Sequence, residues 1–208
     1  MLKKSLLVLT LAAMTGSAFA APVANLKVSG SVKQPTCTVN GIVDEVDVLY
    51  TFDVSPGQFP ATGNKTLPSQ TKSIQVVCDA TTYLAFTTTD ERATTALITS
   101  NTNFGLGLYG DSTKVGYYTI SMKNATVKAD ENASEISVGV LIGNGVHYAS
   151  RIDKTKTMSW GRAQNHPEPG RIFTADYEVE PTLNSVLKNS DGTATLDGHA
   201  VLVYAFGM

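Results

Sequence analysis

The sequence predicts an antiparallel β-sandwich, and three observations carry that expectation. Apolar and polar residues alternate in run after run, the period-two mark of strands with one dry face. Turn-forming clusters separate the runs: "SPG" at 55–57, "TGN" at 62–64, "YGDST" at 109–113, "GNG" at 143–145 and "NSDG" at 189–192. Two cysteines, Cys37 and Cys78, stand in a chain that opens with an export signal, where a disulfide is the default for an even count. No segment after that signal shows a 3.6-residue apolar stripe with caps.

The elements follow in chain order. Residues 1–20, "MLKKSLLVLTLAAMTGSAFA", read as a secretory signal peptide. Lys3 and Lys4 form its positive head, Leu6 to Met14 are nearly all apolar, and Ala18-Phe19-Ala20 sets small residues at alternate places before a cleavage between Ala20 and Ala21. That apolar run is too short to span a bilayer, and no later run approaches spanning length. A single domain is expected over 21–208, of a size that can bury a sizeable core.

In "ANLKVSGSVKQPTCTV", residues 24–39, Leu26, Val28, Gly30 and Val32 alternate with Asn25, Lys27, Ser29 and Ser31. Cys37 and Val39 fall on odd positions, so the inward face changes parity across "KQP". A strand in constant register cannot do this, and Pro35 marks the place for a break or bulge. Next, "VDVLYTFDV" (46–54) puts Val46, Val48, Tyr50, Phe52 and Val54 on one face, and "KSIQVVCDA" (72–80) does the same with Ile74, Val76 and Cys78. "TTYLAFTTTD" follows at once. Further strands are expected at 104–110, 114–122, 135–143, 171–180 and 198–206. In the last of these Ala200, Leu202, Tyr204 and Phe206 share a face. Such a strand presents an apolar edge that invites strand addition unless something covers it.

Composition narrows the function. Removal of Lys3 and Lys4 leaves 14 basic against 18 acidic residues, a net charge of about −4. No Lys/Arg cluster stands out, which argues against nucleic acid as a partner. His147, His166 and His199 lack ligand-like spacing, and no pattern calls for a metal or another cofactor. Nucleophile-elbow, zinc-protease, phosphate-loop and dinucleotide motifs are absent from the sequence. "TTDERATT" gathers Asp90, Glu91 and Arg92, which read as a solvated turn with a local Asp90–Arg92 pair rather than an acid–base site. Trp160 in "MSWGR" reads as core before it reads as a sugar platform. An enzyme is therefore not expected.

The order of these features resembles pilin subunits assembled by the chaperone–usher pathway. Those proteins carry a signal peptide, an alternating N-terminal extension, a "G-x-V-x-x-x-x-C" element, a second cysteine some forty residues on, and an alternating terminal strand with a near-terminal Tyr. Gly30, Val32, Cys37, Cys78 and Tyr204 occupy those places. "TTDERATT" and "NFGLGLYGDSTKVGYYTISM" are similar to a subgroup of enterobacterial fimbrial-subunit-like proteins catalogued as a domain of unknown function.

The resemblance implies an incomplete immunoglobulin-like sandwich lacking its last strand. A periplasmic chaperone would fill the gap first, and a neighbouring subunit's extension would replace it at an outer-membrane usher. In this chain residues 21–29 would be the donor extension, with Val23, Leu26 and Val28 as its anchors. Gly30 and Val32 would open the first strand, and Ala200, Leu202, Tyr204 and Phe206 would be the strand the chaperone recognises. The implied function is a structural subunit of a surface fibre that contributes to adhesion, passing through the periplasm to the cell surface. A self-complete periplasmic sandwich that binds a partner without polymerising is the alternative.

Overall fold

The computed structural model describes residues 24–207. The signal segment, the Ala20–Ala21 cleavage position and Val23 lie outside the described residues. The chain divides into a unit ending at Lys33 and a larger one from Gln34 onward.

Of the first unit, residues 24–33 are described, and they form no strand. Leu26, Val28 and Val32 are 96 %, 101 % and 104 % exposed. The strand expected over this stretch, with Gly30 and Val32 at the start of the sandwich, is thus not formed in the single chain. Alternation makes a strand only where a second backbone supplies the hydrogen bonds.

The second unit is all-β. Its strands are β1 (Cys37–Val39), β2 (Lys65–Thr66), β3 (Gln70–Thr82), β4 (Leu84–Asp90), β5 (Phe104–Gly105), β6 (Leu108–Tyr109), β7 (Thr113–Lys114) and β8 (Gly116–Lys128). There follow β9 (Ile136–Ser137), β10 (Gly139–Ile142), β11 (Gly145–His147), β12 (Ala149–Arg151), β13 (Met158–Ala163), β14 (His166–Pro167), β15 (Gly170–Leu183) and β16 (Ala200–Phe206). Three short 3-10 turns, Pro56–Gln58, Ala93–Thr95 and Ser185–Asn189, are the only helical elements among the described residues.

Two antiparallel sheets make the sandwich. The first runs β1-β3-β15-β8-β12, with β2 on β15 and with β5 and β9 on β8. The second runs β11-β10-β13-β4-β16, with β14 on β13. β3 and β4 are nearly continuous in sequence, and Tyr83 is where the chain crosses between sheets. Inward residues alternate as the period-two pattern requires: Ile74, Val76 and Cys78 from β3, Phe173, Ala175, Tyr177 and Val179 from β15, and Leu84 and Phe86 from β4 are buried. Trp160 is 1 % exposed at the centre, edge-on to Phe86 at 6.0 Å and to Phe173 at 5.6 Å, with its indole N–H donating to the Thr174 carbonyl at 2.9 Å. It is a core residue.

Cys37 and Cys78 are direct ladder partners on β1 and β3 and form the disulfide. β1 ends at once in a tight turn. Asn40 and Gly41 both take positive φ, 49° and 82°, and Val39 and Ile42 exchange both backbone hydrogen bonds. An Asn-Gly pair suits such a turn because both central residues need the left-handed region.

Several segments depart from the sequence expectation: residues 46–54 join neither sheet, 104–110 is broken beside Gly107 (φ 82°) into β5 and β6, 135–143 is divided between β9 in the first sheet and β10 in the second, and β8 and β13 differ as well. β8 runs six residues past Met122, because Asn124, at φ 51°, inserts a bulge and moves the inward face from Tyr118, Ile120 and Met122 to Ala125 and Val127. β13 carries no alternating pattern, because Met158, Ser159, Trp160 and Gly161 are all buried.

Candidate functional site: a groove between two unpaired edges

Residues 46–54 keep the period-two burial that their sequence suggests. Val46, Val48, Tyr50, Phe52 and Val54 are half-buried, while Asp47, Leu49, Thr51 and Asp53 are exposed. Yet this segment belongs to neither sheet, and its backbone makes no hydrogen bond to another backbone among the described residues. It is held by side chains. The Tyr50 hydroxyl donates to the Tyr177 carbonyl at 2.8 Å, and the Gln70 side-chain amide donates to the Thr51 carbonyl. The Lys72 ammonium lies over the Tyr50 ring, 5.7 Å from its centroid.

The second edge is β16. It pairs with β4 from Ala200↔Asp90 to Phe206↔Leu84 and ends its sheet, with no strand on its other side among the described residues. Ala200, Leu202, Tyr204 and Phe206 share a face, as their sequence suggests, and are only half-buried. Ala194 and Leu196 extend the same parity ahead of the strand and also pack on the core.

The two edges flank a common floor. Tyr177, on β15, meets Tyr50 from one side. Its ring centroid lies 6.1 Å from Phe86, which in turn lies 5.7 Å from Tyr204 on the other side. At one end the groove closes on a small cavity of about 40 Å³, where Val54, Pro56 and Phe59 face Leu183, Leu187, Ala194 and Leu196. The floor is dry enough to shift its phenols. Burial pushes Tyr50 and Tyr204 each up to about 12, and pushes Tyr177 well above its ordinary value. The Tyr177 hydroxyl is buried without a hydrogen-bond partner; the Tyr204 hydroxyl beside it raises it further but does not complete a bond.

The other candidates resolve into structural roles. Asp90 does not pair with the Arg92 side chain. Its carboxylate, 1 % exposed, accepts from the Arg92 and Gly105 amides at 3.0 and 3.1 Å and pairs with the Lys154 ammonium at 3.1 Å. Arg92 instead reaches Asp197 at 2.8 Å, ahead of β16. A local turn could not show this, because both true partners are more than sixty residues away. Gly105 is required here, since a Cβ would come within 1.8 Å of the Arg92 carbonyl oxygen. Among the described residues no three His, Cys, Asp or Glu side chains gather as metal ligands would. A cleft of about 210 Å³ lies between Leu141, Gly143, Thr155, Lys156, Thr157 and Ser159, away from the groove.

The sequence names β16 and the 46–54 face but not their shared floor. In the sequence Tyr177 is one residue of the strand expected at 171–180, and only the fold brings it between the two edges. The half-buried Ala194 and Leu196 continue the even parity of the 200–206 face in "TATLDGHA", with Asp197 and Gly198 between them and the strand.

The fold and site define a class: a disulfide-bonded β-sandwich in which two apolar edges, without backbone partners on their outer sides among the described residues, flank Tyr177. Comparison with protein-family models and with curated proteins finds no match to this chain.

Proposed function

We propose that this chain is a structural subunit of a surface fibre, assembled by strand donation along a chaperone–usher route. One observation carries the reading: segment 46–54 and β16 both offer alternating apolar side chains and unpaired backbone to the same groove. Backbone groups left unpaired beside an apolar surface are a template for an added strand. Each Leu or Val side chain fully buried there is worth roughly 1.5–3 kcal/mol.

The donor is the alternating extension in which Leu26 and Val28 stand fully exposed, with Val23 ahead of them. A periplasmic chaperone occupies the groove along Ala200, Leu202, Tyr204 and Phe206 before the exchange, and the usher and neighbouring subunits are the later partners. The protein is exported, passes the periplasm and ends in the fibre at the cell surface, where it contributes to adhesion. It needs no cofactor, and its work is binding rather than catalysis.

Native mass spectrometry of the exported chain, with and without a co-expressed fimbrial chaperone, tests this. A one-to-one chaperone complex, with oligomer ladders or degradation when the chaperone is missing, is expected. A stable monomer indifferent to the chaperone would leave instead a self-complete module that binds a partner.

A further inference from the structure

One polar atom in the groove floor is left unused by the fold. Tyr177 is 2 % exposed, and its hydroxyl is the one fully buried side-chain nitrogen or oxygen without a hydrogen-bond partner among the described residues. The Trp160 indole, as deep in the core, donates to the Thr174 carbonyl, and the Tyr50 hydroxyl is spent on the Tyr177 carbonyl. Phe173 shows that the inner face of β15 takes an aromatic ring with no polar tip. A buried hydroxyl without a partner costs stability that a phenylalanine in its place would not. The group asks for a partner that the single chain does not supply.

The Tyr204 hydroxyl stands beside it without closing a bond. Tyr204 is half-buried and belongs to β16, the rim with no strand on its outer side among the described residues. A phenol donates one hydrogen bond and also accepts. Tyr177 can therefore donate to the Tyr204 oxygen, which leaves the Tyr204 proton for whatever fills the groove.

We propose that these two hydroxyls make the groove select a strand that carries an uncharged acceptor, a carboxamide or a hydroxyl, on its otherwise apolar inward face. Tyr204 donates to that acceptor and sets the specificity; Tyr177, behind it, is the positioning residue. A carboxylate is refused because it would lose its hydration in this dry floor. The inference rests on the strand-addition reading above and adds what the groove requires of the strand. The apolar parity of 24–32 in this chain, namely Ala24, Leu26, Val28, Gly30 and Val32, offers no such side chain. The strand these hydroxyls favour is therefore one from a different protein, and the chain's own segment serves as the unsatisfied reference.

The test uses end-blocked peptides of residues 21–33, unmodified or with Ala24→Asn, Leu26→Asn, Val28→Asn, Gly30→Asn or Val32→Asn. Each is bound to the full exported chain released from its chaperone, and to its Tyr204→Phe and Tyr177→Phe variants. For one of the five, affinity relative to the unmodified peptide is expected to fall about tenfold from wild type to Tyr204→Phe, and to fall in Tyr177→Phe as well. That position is the one facing Tyr204. Relative affinities that are the same in all three chains would overturn the selection and leave strand addition intact. Binding by no peptide would also overturn it, and if the chain ignores the chaperone too, strand addition falls with it. The melting temperature of the unfilled chain is the second readout. Tyr177→Phe should melt no lower than wild type, because its hydroxyl has no bond to lose; a lower melt would show that the chain alone satisfies this group and would overturn the inference.

Discussion

The Tyr50 hydroxyl reaches the Tyr177 carbonyl at 2.8 Å, and this bond ties a segment with no ladder of its own to the central strand of the first sheet. Tyr50→Phe keeps the ring and removes the tie. We expect a loss of about 1 kcal/mol in denaturant unfolding, and faster limited proteolysis within 46–54 than in wild type. Unchanged cleavage would mean that packing alone seats this rim.

The disulfide closes a loop of 41 residues that contains the whole 46–54 rim. Replacing Cys37 and Cys78 by Ser should lower stability by roughly 4 kcal/mol on the chain-entropy argument. The check is the urea midpoint of oxidised wild type against the double variant.

Asp90 and Lys154 anchor the end of β4 where β16 begins, since Asp90 is the ladder partner of Ala200. Truncating Lys154 to Met leaves a buried carboxylate that the Arg92 and Gly105 amides cannot neutralise. A loss of about 3 kcal/mol is expected, with a smaller loss when both Asp90→Asn and Lys154→Met are present. Thermal melts of the two single variants and the double variant measure the coupling.

The groove phenols set an alkaline limit. Tyr50 and Tyr204 are raised from 10.0 to about 12 by burial, so the folded state holds their protons longer than the unfolded one. Stability from these groups is fully present below pH 10 and is lost as pH rises from 10 towards 12. Ultraviolet phenolate titration alongside circular dichroism should show these tyrosines ionising late, together with unfolding. A strand that covers the groove should move that transition upwards.

Much of the fold was legible because a sandwich with one wet face writes its strands as alternation. Ile74, Val76 and Cys78 on β3, and the Ala200 to Phe206 face on β16, could be read directly. β13 could not, since burial on both sides erases the pattern, and β8 was cut short where the Asn124 bulge flips parity. Residues 24–32 show the converse limit. They alternate as a strand should, yet alternation does not say whose sheet the strand completes, and the single chain leaves Leu26 and Val28 exposed. The floor of the groove was illegible because Tyr50, Tyr177 and Tyr204 lie far apart in sequence and meet only through the sheet order.

The most direct measurement is hydrogen–deuterium exchange of the full chain with and without the residue 21–33 peptide. If the groove takes a strand, amides in 46–54 and on the outer side of 200–206 exchange fast alone and become protected together on binding, while β15 stays unchanged. Protection of both edges in the isolated chain, or none on adding a strand from this chain or from a fimbrial chaperone, would contradict strand addition.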